Sequence, residues 1–273
     1  MTFKNLILLL VVLSSISCQD VIELELSGTD IKPVISASIT DGGSPITVSI
    51  TRSSEFYNND QPEAITEAEV NITDENGVSY SLTTSEPGIY TTTELEGTLG
   101  ATYKMEIKAD GNDYQATATI PKTKVEIDSI TFEFEEETLF GKEGFYPKIY
   151  FTDPASEENY YRFIFLVNGQ PFNYAWDEEG EDPELDSEIS LYRDKYSNGG
   201  LQDYDVFYHL KKGDELTVEL QHLDEPTYSY LRTLRNVSLG VGVAPADPIS
   251  NFGTSALGHF SAYTTDVFTA IVE

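Results

Sequence analysis

Cysteine is almost absent from the sequence, with Cys18 the only one in 273 residues, so no disulfide can form within the chain. Disulfide-stapled scaffolds are thereby excluded, and any fold must rest on hydrophobic cores. Basic residues are also scarce: 16 Lys and Arg stand against 47 Asp and Glu, a formal net charge of -31. No stripe of Lys or Arg is available to neutralise a phosphate backbone, which excludes nucleic acid as a partner and makes anionic lipid headgroups poor ones. Histidine occurs three times, at His209, His222 and His259, and no two of these fall at the short spacings of a zinc site. Gly-x-Ser-x-Gly elbows, phosphate loops and His-Glu-x-x-His motifs are missing, so a non-enzymatic protein without a cofactor is expected.

The long apolar run that is present, Leu6 to Leu13, follows Lys4 and precedes the small residues Ser14, Ser15 and Ser17. It is too short for the roughly 20 residues of a membrane span and has the layout of a secretory signal. Ending at Cys18, it resembles a bacterial lipoprotein box, which implies removal of residues 1–17 and acylation of Cys18. Ser15 stands where that box usually has leucine. A later cleavage site and a free thiol is the other reading. Acylation would anchor the protein through its lipid chains, each buried methylene contributing about 0.8 kcal/mol.

Aromatics are plentiful, with 17 Tyr and 14 Phe, and favour strands. Residues 18–30 are acidic and read as a tether. From Ile31 to Pro121 apolar residues alternate with polar ones, as in Val34 to Thr40, Ile46 to Thr51, Ala68-Val70-Ile72 and Val78-Tyr80-Leu82. The last two runs flank Asp74-Glu75-Asn76-Gly77, a hairpin signal. Tyr103, Met105, Ile107 and Ala109 then face Tyr114, Ala116, Ala118 and Ile120 across Asp110-Gly111-Asn112-Asp113. About seven short strands with regular turn signals predict an immunoglobulin-like sandwich over 31–121, with Tyr103 as a corner tyrosine.

Residues 122–273 predict a second β-rich domain. Its expected strands are Val125 to Phe134, Phe145 to Phe151, Tyr160 to Val167, Asp205 to Leu210, Leu216 to Leu220, Leu257 to Tyr263 and Val267 to Val272. One helix is expected near 225–237, with Asp224 as N-cap, Pro226 early in the first turn, and Tyr228, Leu231 and Leu234 on one face. The fold class is thus mainly β with a single helix.

Ligand-binding candidates are few. Phe172, Tyr174 and Trp176 alternate, and on a strand they would share one face, either as core or as a stacking platform for a glycan. Asp177, Glu179 and Glu181 lie in an acidic run with the oxygen chemistry of a calcium site but without EF-hand spacing, so a solvated surface is the competing reading. His259 stands in a Gly-rich turn that could line a pocket.

Several stretches together, Cys18 to Leu24, Tyr150-Phe-Thr-Asp-Pro154, Asn159-Tyr-Tyr-Arg-Phe163, Asp194 to Gly199, Tyr228 to Leu234 and Asn251 to Ala262, resemble the Bacteroidota lipoproteins grouped as domain of unknown function 4249. Phe252 and His259 depart from that pattern. The acids after Cys18 resemble the surface-export signal of such lipoproteins. The resemblance implies a two-part β-rich lipoprotein, often encoded beside a TonB-dependent outer-membrane receptor, and no catalytic residues. The expected function is an outer-membrane accessory or ligand-capture subunit of a TonB-dependent importer, its ligand unidentified. The alternative is an adhesin or structural envelope lipoprotein.

Overall fold

A computed structural model describes residues 31–43, 45–54, 61–138, 142–155, 158–172, 189–195, 198–238 and 247–273. Cys18, the 18–30 tether, Tyr174, Trp176, Asp177, Glu179 and Glu181 lie outside the described residues. Seven strands make up the first region: β1 (Pro33–Thr40), β2 (Ile46–Arg52), β3 (Ala68–Thr73), β4 (Ser79–Glu86), β5 (Ile89–Thr92), β6 (Thr102–Ala109) and β7 (Asn112–Thr119). The second holds β8 (Ile127–Glu135), β9 (Gly144–Asp153), β10 (Tyr160–Val167), β11 (Gln170–Pro171), β12 (Ser190–Arg193), β13 (Gly200–Asp205), β14 (Glu215–Leu223), α1 (Glu225–Ser238) and β15 (Leu257–Ile271).

Period-two alternation produces the first sandwich. Ile35, Ala37 and Ile39 on β1, Ile46, Val48 and Ile50 on β2, and Met105 and Ile107 on β6 all point into one core. β4 changes sheets along its length, pairing with β3 through Ser79 to Leu82 and with β5 beyond Thr83. The hairpin β6–β7 has the expected partners, Tyr103 opposite Ala118 and Ile107 opposite Tyr114, but its turn is only two residues long. Asp110 and Gly111 both take positive φ, +52° and +75°, the pair of angles a type I′ turn demands. In the other predicted hairpin the Asp74 carboxylate accepts the Asn76 and Val78 N–H groups, and Val78 itself is exposed, outside the core. Tyr103 is buried with its hydroxyl accepting the Thr98 N–H at 2.9 Å, a corner tyrosine as expected.

Beyond Ile120 a sheet of β13, β9 and β8 faces β10, β14 and the later half of β15. The expected strands Leu257 to Tyr263 and Val267 to Val272 are one continuous strand. Its first half runs parallel to β1, Val34 opposite Leu257, and its second half runs antiparallel to β14, Leu223 opposite Tyr263. Thr264, Thr265 and Asp266, polar residues that break the apolar alternation, belong to the strand, and the side chains of Thr265 and Asp266 find partners on neighbouring strands. Asp266 accepts the Ile127 N–H at 2.9 Å, and Thr265 donates to Glu219 at 3.1 Å. Gly258 permits the parallel pairing, since a Cβ there would lie 2.0 Å from the Ile35 carbonyl oxygen.

A second correction concerns residues 205–210. Val206, Tyr208 and Leu210 are buried in alternation, but the ladder strand is Gly200–Asp205, and only an isolated bridge joins Leu210 to Phe145. Pairing beyond Asp205 is confined to the Val206 N–H on the Pro147 carbonyl at 3.0 Å and the Leu210–Phe145 bridge, so the alternation mainly reports burial. Helix α1 starts as predicted: the Asp224 carboxylate accepts the Thr227 N–H at 3.0 Å, a cap of about 1 kcal/mol. Its apolar face, Leu231 with Tyr228 beside it, packs on Tyr160, Leu223 and Tyr263. The same Asp224 accepts the Thr119 N–H of β7, tying helix and first sandwich together.

Candidate functional site

Strand β10 places Tyr161, Phe163 and Phe165 on one face at period two, and β9 brings Phe151 against the first two at 5.0 and 5.8 Å between ring centres. Tyr204 of β13 stacks on Phe163 at 4.2 Å. Tyr208 meets Phe165 edge-on at 5.5 Å and stacks on Phe172 at 3.7 Å. Edge-to-face and offset contacts of this kind contribute about 0.5–1.5 kcal/mol each beyond area burial. At the end of this ladder lies a cavity of about 200 Å³, walled by Phe165, Phe172, Leu191, Tyr204, Phe207 and Tyr208, with Ser190 and Arg235 as polar members.

Two features give the cavity a chemical direction. The Tyr208 hydroxyl has no hydrogen-bond partner although the residue is only 8% exposed, and burial pushes its ionisation well up, so the group stays a neutral donor and acceptor. Arg235, in the last turn of α1, spends one N–H on the Ile189 carbonyl at 3.3 Å and leaves further donors on the same guanidinium fork. Phe207 is 77% exposed, an aromatic side chain held out at the rim. The arrangement suits a single ring, stacked on aromatic faces and hydrogen-bonded at its edge. A larger groove of about 600 Å³ beside the β6–β7 turn is open and edged by charged side chains, including the Lys108–Glu69 ion pair at 3.7 Å. It contains no orphaned buried group, so the aromatic cavity is the better candidate.

Of the residues singled out from sequence, Phe172 is brought into this cavity. His259 is not among the residues that line it. The imidazole of His259 is 3% exposed, stacked on Tyr230 of α1 at 4.8 Å, with Nδ1 3.2 Å from the Ser261 hydroxyl. Burial pushes it down to about 4, so it is neutral at pH 7. Among the described residues no three His, Cys, Asp or Glu side chains are gathered in a way that would hold a metal ion.

Sequence reasoning missed a buried polar network beside the ladder. Asp153, at the end of β9, accepts the Tyr161 hydroxyl and the Gly199 N–H, the latter at 2.7 Å. Asp194 accepts the Asn159 N–H at 2.9 Å with one oxygen, while its other oxygen has no partner in a fully buried residue. Burial and the neighbouring Asp153 carboxylate push the Asp194 carboxyl upward. His222 of β14 closes the network against Asn159 and the Thr123 carbonyl, and Gln202 accepts the Tyr192 hydroxyl at 2.8 Å. Three of the stretches quoted above for a family resemblance, those around Asp153, Asn159 and Asp194, converge here, which was the one available signal.

Among the described residues, fold and site define a mainly β protein of two sandwich-like regions and one helix, with an aromatic cavity in the second. The chain belongs to the family described as Domain of unknown function (DUF4249), whose model matches residues 19–269. No curated protein sequence matches it. Similar solved structures include a two-domain fibronectin type III segment of chicken tenascin, at 11% identity and TM-score 0.21, covering 71% of this chain and 91% of that one. Red sea bream transglutaminase shows 10% identity and TM-score 0.24, over 90% of this chain and 31% of that one. The adhesin InvE of Yersinia pseudotuberculosis shows 16% identity and TM-score 0.22, over 70% and 55%.

Proposed function

We propose that the protein is an outer-membrane lipoprotein, acylated at Cys18 and facing the cell exterior, that captures a small ring-containing ligand without chemically changing it and passes it to a TonB-dependent receptor. The observation that carries this reading is the aromatic cavity with the partnerless Tyr208 hydroxyl at its wall. Such a group costs about 1–3 kcal/mol while unpaired, and a ligand hydroxyl or carboxylate removes that cost. The sequence around Cys18 supports the anchored part of the reading. The strongly acidic surface fits attachment through acyl chains in preference to contact with anionic lipid.

The test has two arms. Cys18→Ala should move the protein from the membrane fraction to the soluble one; retention after an alkaline carbonate wash would overturn the anchor. Deleting the gene should impair growth on one nutrient, and restoring it as Tyr208→Ala, in a form that folds, should not repair the defect. Normal growth with lost surface attachment would favour an adhesin instead.

A further inference from the structure

His222 is 3% exposed, and each of its ring nitrogens faces an oxygen that can only accept a hydrogen bond. Nδ1 lies 2.9 Å from the main-chain carbonyl of Thr123, in the connector between β7 and β8. Nε2 lies 3.0 Å from Oδ1 of Asn159. The Asn159 amide is fixed in this sense, because its Nδ2 donates to the Pro154 carbonyl at 2.9 Å and reversal would bring two carbonyl oxygens together there. A neutral imidazole offers one N–H and one lone pair, so on one side of this buried ring it would set a nitrogen lone pair against an oxygen lone pair.

We propose that His222 is an imidazolium in the folded protein, donating through both nitrogens, with the Asp153 carboxylate as its buried counter-charge and Asp194 held beside it by the Asn159 N–H. The carboxylates reach it through two short links. Tyr161 lies 5.1 Å from His222 between ring centres and gives its hydroxyl to Asp153; Asn159 gives its main-chain N–H to Asp194. Arg162 of β10 is a partly buried charge one residue from Tyr161, and its register partner on β14 is Gln221, next to His222. Lys124, next to Thr123, reaches Asp41 at 4.0 Å, and Asp224 caps α1. Opposite His222 on β15 stands Thr264, which is uncharged.

The cation is then a pH-sensitive staple. It ties the connector at Thr123 to the turn after Asp153, and through Asp194 and Asp153 to the turn ending at Gly199. An unconstrained imidazole is half protonated near pH 6.5, about its reference value. The folded site holds the second proton above that pH, so its stabilisation is fully present below about 6.5 and is lost as pH rises through the value of the folded state.

The full chain labelled with nitrogen-15 in histidine tests this directly, the three imidazoles being assigned by single His→Gln variants. At pH 7.5 His222 should show two ring N–H protons and His259 no more than one; a single ring N–H on His222 overturns the proposal. Thermal unfolding of the unsubstituted protein and of His222→Gln across pH 6–9 reads the same point with opposite signs for the two protonation states. The melting-temperature gap should narrow as pH rises. A constant or widening gap means a neutral imidazole, and should His222→Gln fail to fold, the nitrogen-15 spectrum of the unsubstituted chain, with His209→Gln and His259→Gln for assignment, decides alone.

Discussion

The first sandwich buries tyrosines whose hydroxyls are paired with nearby main chain: Tyr103 with the Thr98 N–H, Tyr90 with the Ile65 carbonyl and the Ala68 N–H. The second region is different. Among the described residues, the buried side-chain nitrogen or oxygen atoms without a partner belong to Arg162, Asp194, Tyr208 and Thr264, all beyond the first seven strands. Complete pairing is what a scaffold needs, because each unpaired buried polar group costs about 1–3 kcal/mol. Keeping such groups in one region only makes that region the place to look for binding and titration, and leaves the other as support.

The largest expected test of this contrast removes an aromatic anchor. Phe151 is fully buried against Tyr161, Phe163 and Tyr192, so Phe151→Ala should cost about 3–5 kcal/mol in urea unfolding and loosen the cavity wall. Next is the depressed His259. Its contribution is present above the reference value of about 6.5 and disappears as pH falls towards about 4. A shift of that size is on the order of 3 kcal/mol, and His259→Gln should flatten the acid limb of the melting-temperature curve.

The carboxylate pair should respond unequally. Asp153→Asn weakens two charge-assisted bonds, from Tyr161 and Gly199, and should cost about 1–3 kcal/mol. Asp194 is held above its ordinary range, so its stabilisation is present at low pH and lost as pH rises through the folded value. Asp194→Asn, which carries no such charge, should therefore gain on the unsubstituted protein as pH increases. Equal losses for the two variants would contradict the assigned asymmetry. In the scaffold, Tyr103→Phe removes a single hydrogen bond and should cost about 1 kcal/mol. The smallest effect belongs to Lys108→Ala, whose ion pair with Glu69 is exposed on both sides; a change within about 0.5 kcal/mol is expected.

What the sequence disclosed follows from the range of the interactions involved. Alternation within β1, β2 and β6, the Asp74–Gly77 turn and the Asp224 cap are each set by residues a few positions apart, and all were readable. The polar network was not, since Asp153 meets Gly199 and His222 meets Thr123 across 46 and 99 positions. In sequence strand β15 looks like two pieces, because Thr264-Thr265-Asp266 resembles a turn until its partners Ile127 and Glu219 are brought beside it. The cavity fell between these cases: Phe172 was noticed for its aromatic neighbours in sequence, while its stacking partner Tyr208 comes from a stretch read as a plain strand.

Because β1 pairs in parallel with residues 257–263, order of synthesis constrains assembly. A ribosome that has finished residue 121 has supplied seven strands but not the eighth that lies along β1, so the first sandwich keeps an open edge until almost the whole polypeptide exists. Such a late closure raises contact order and slows folding.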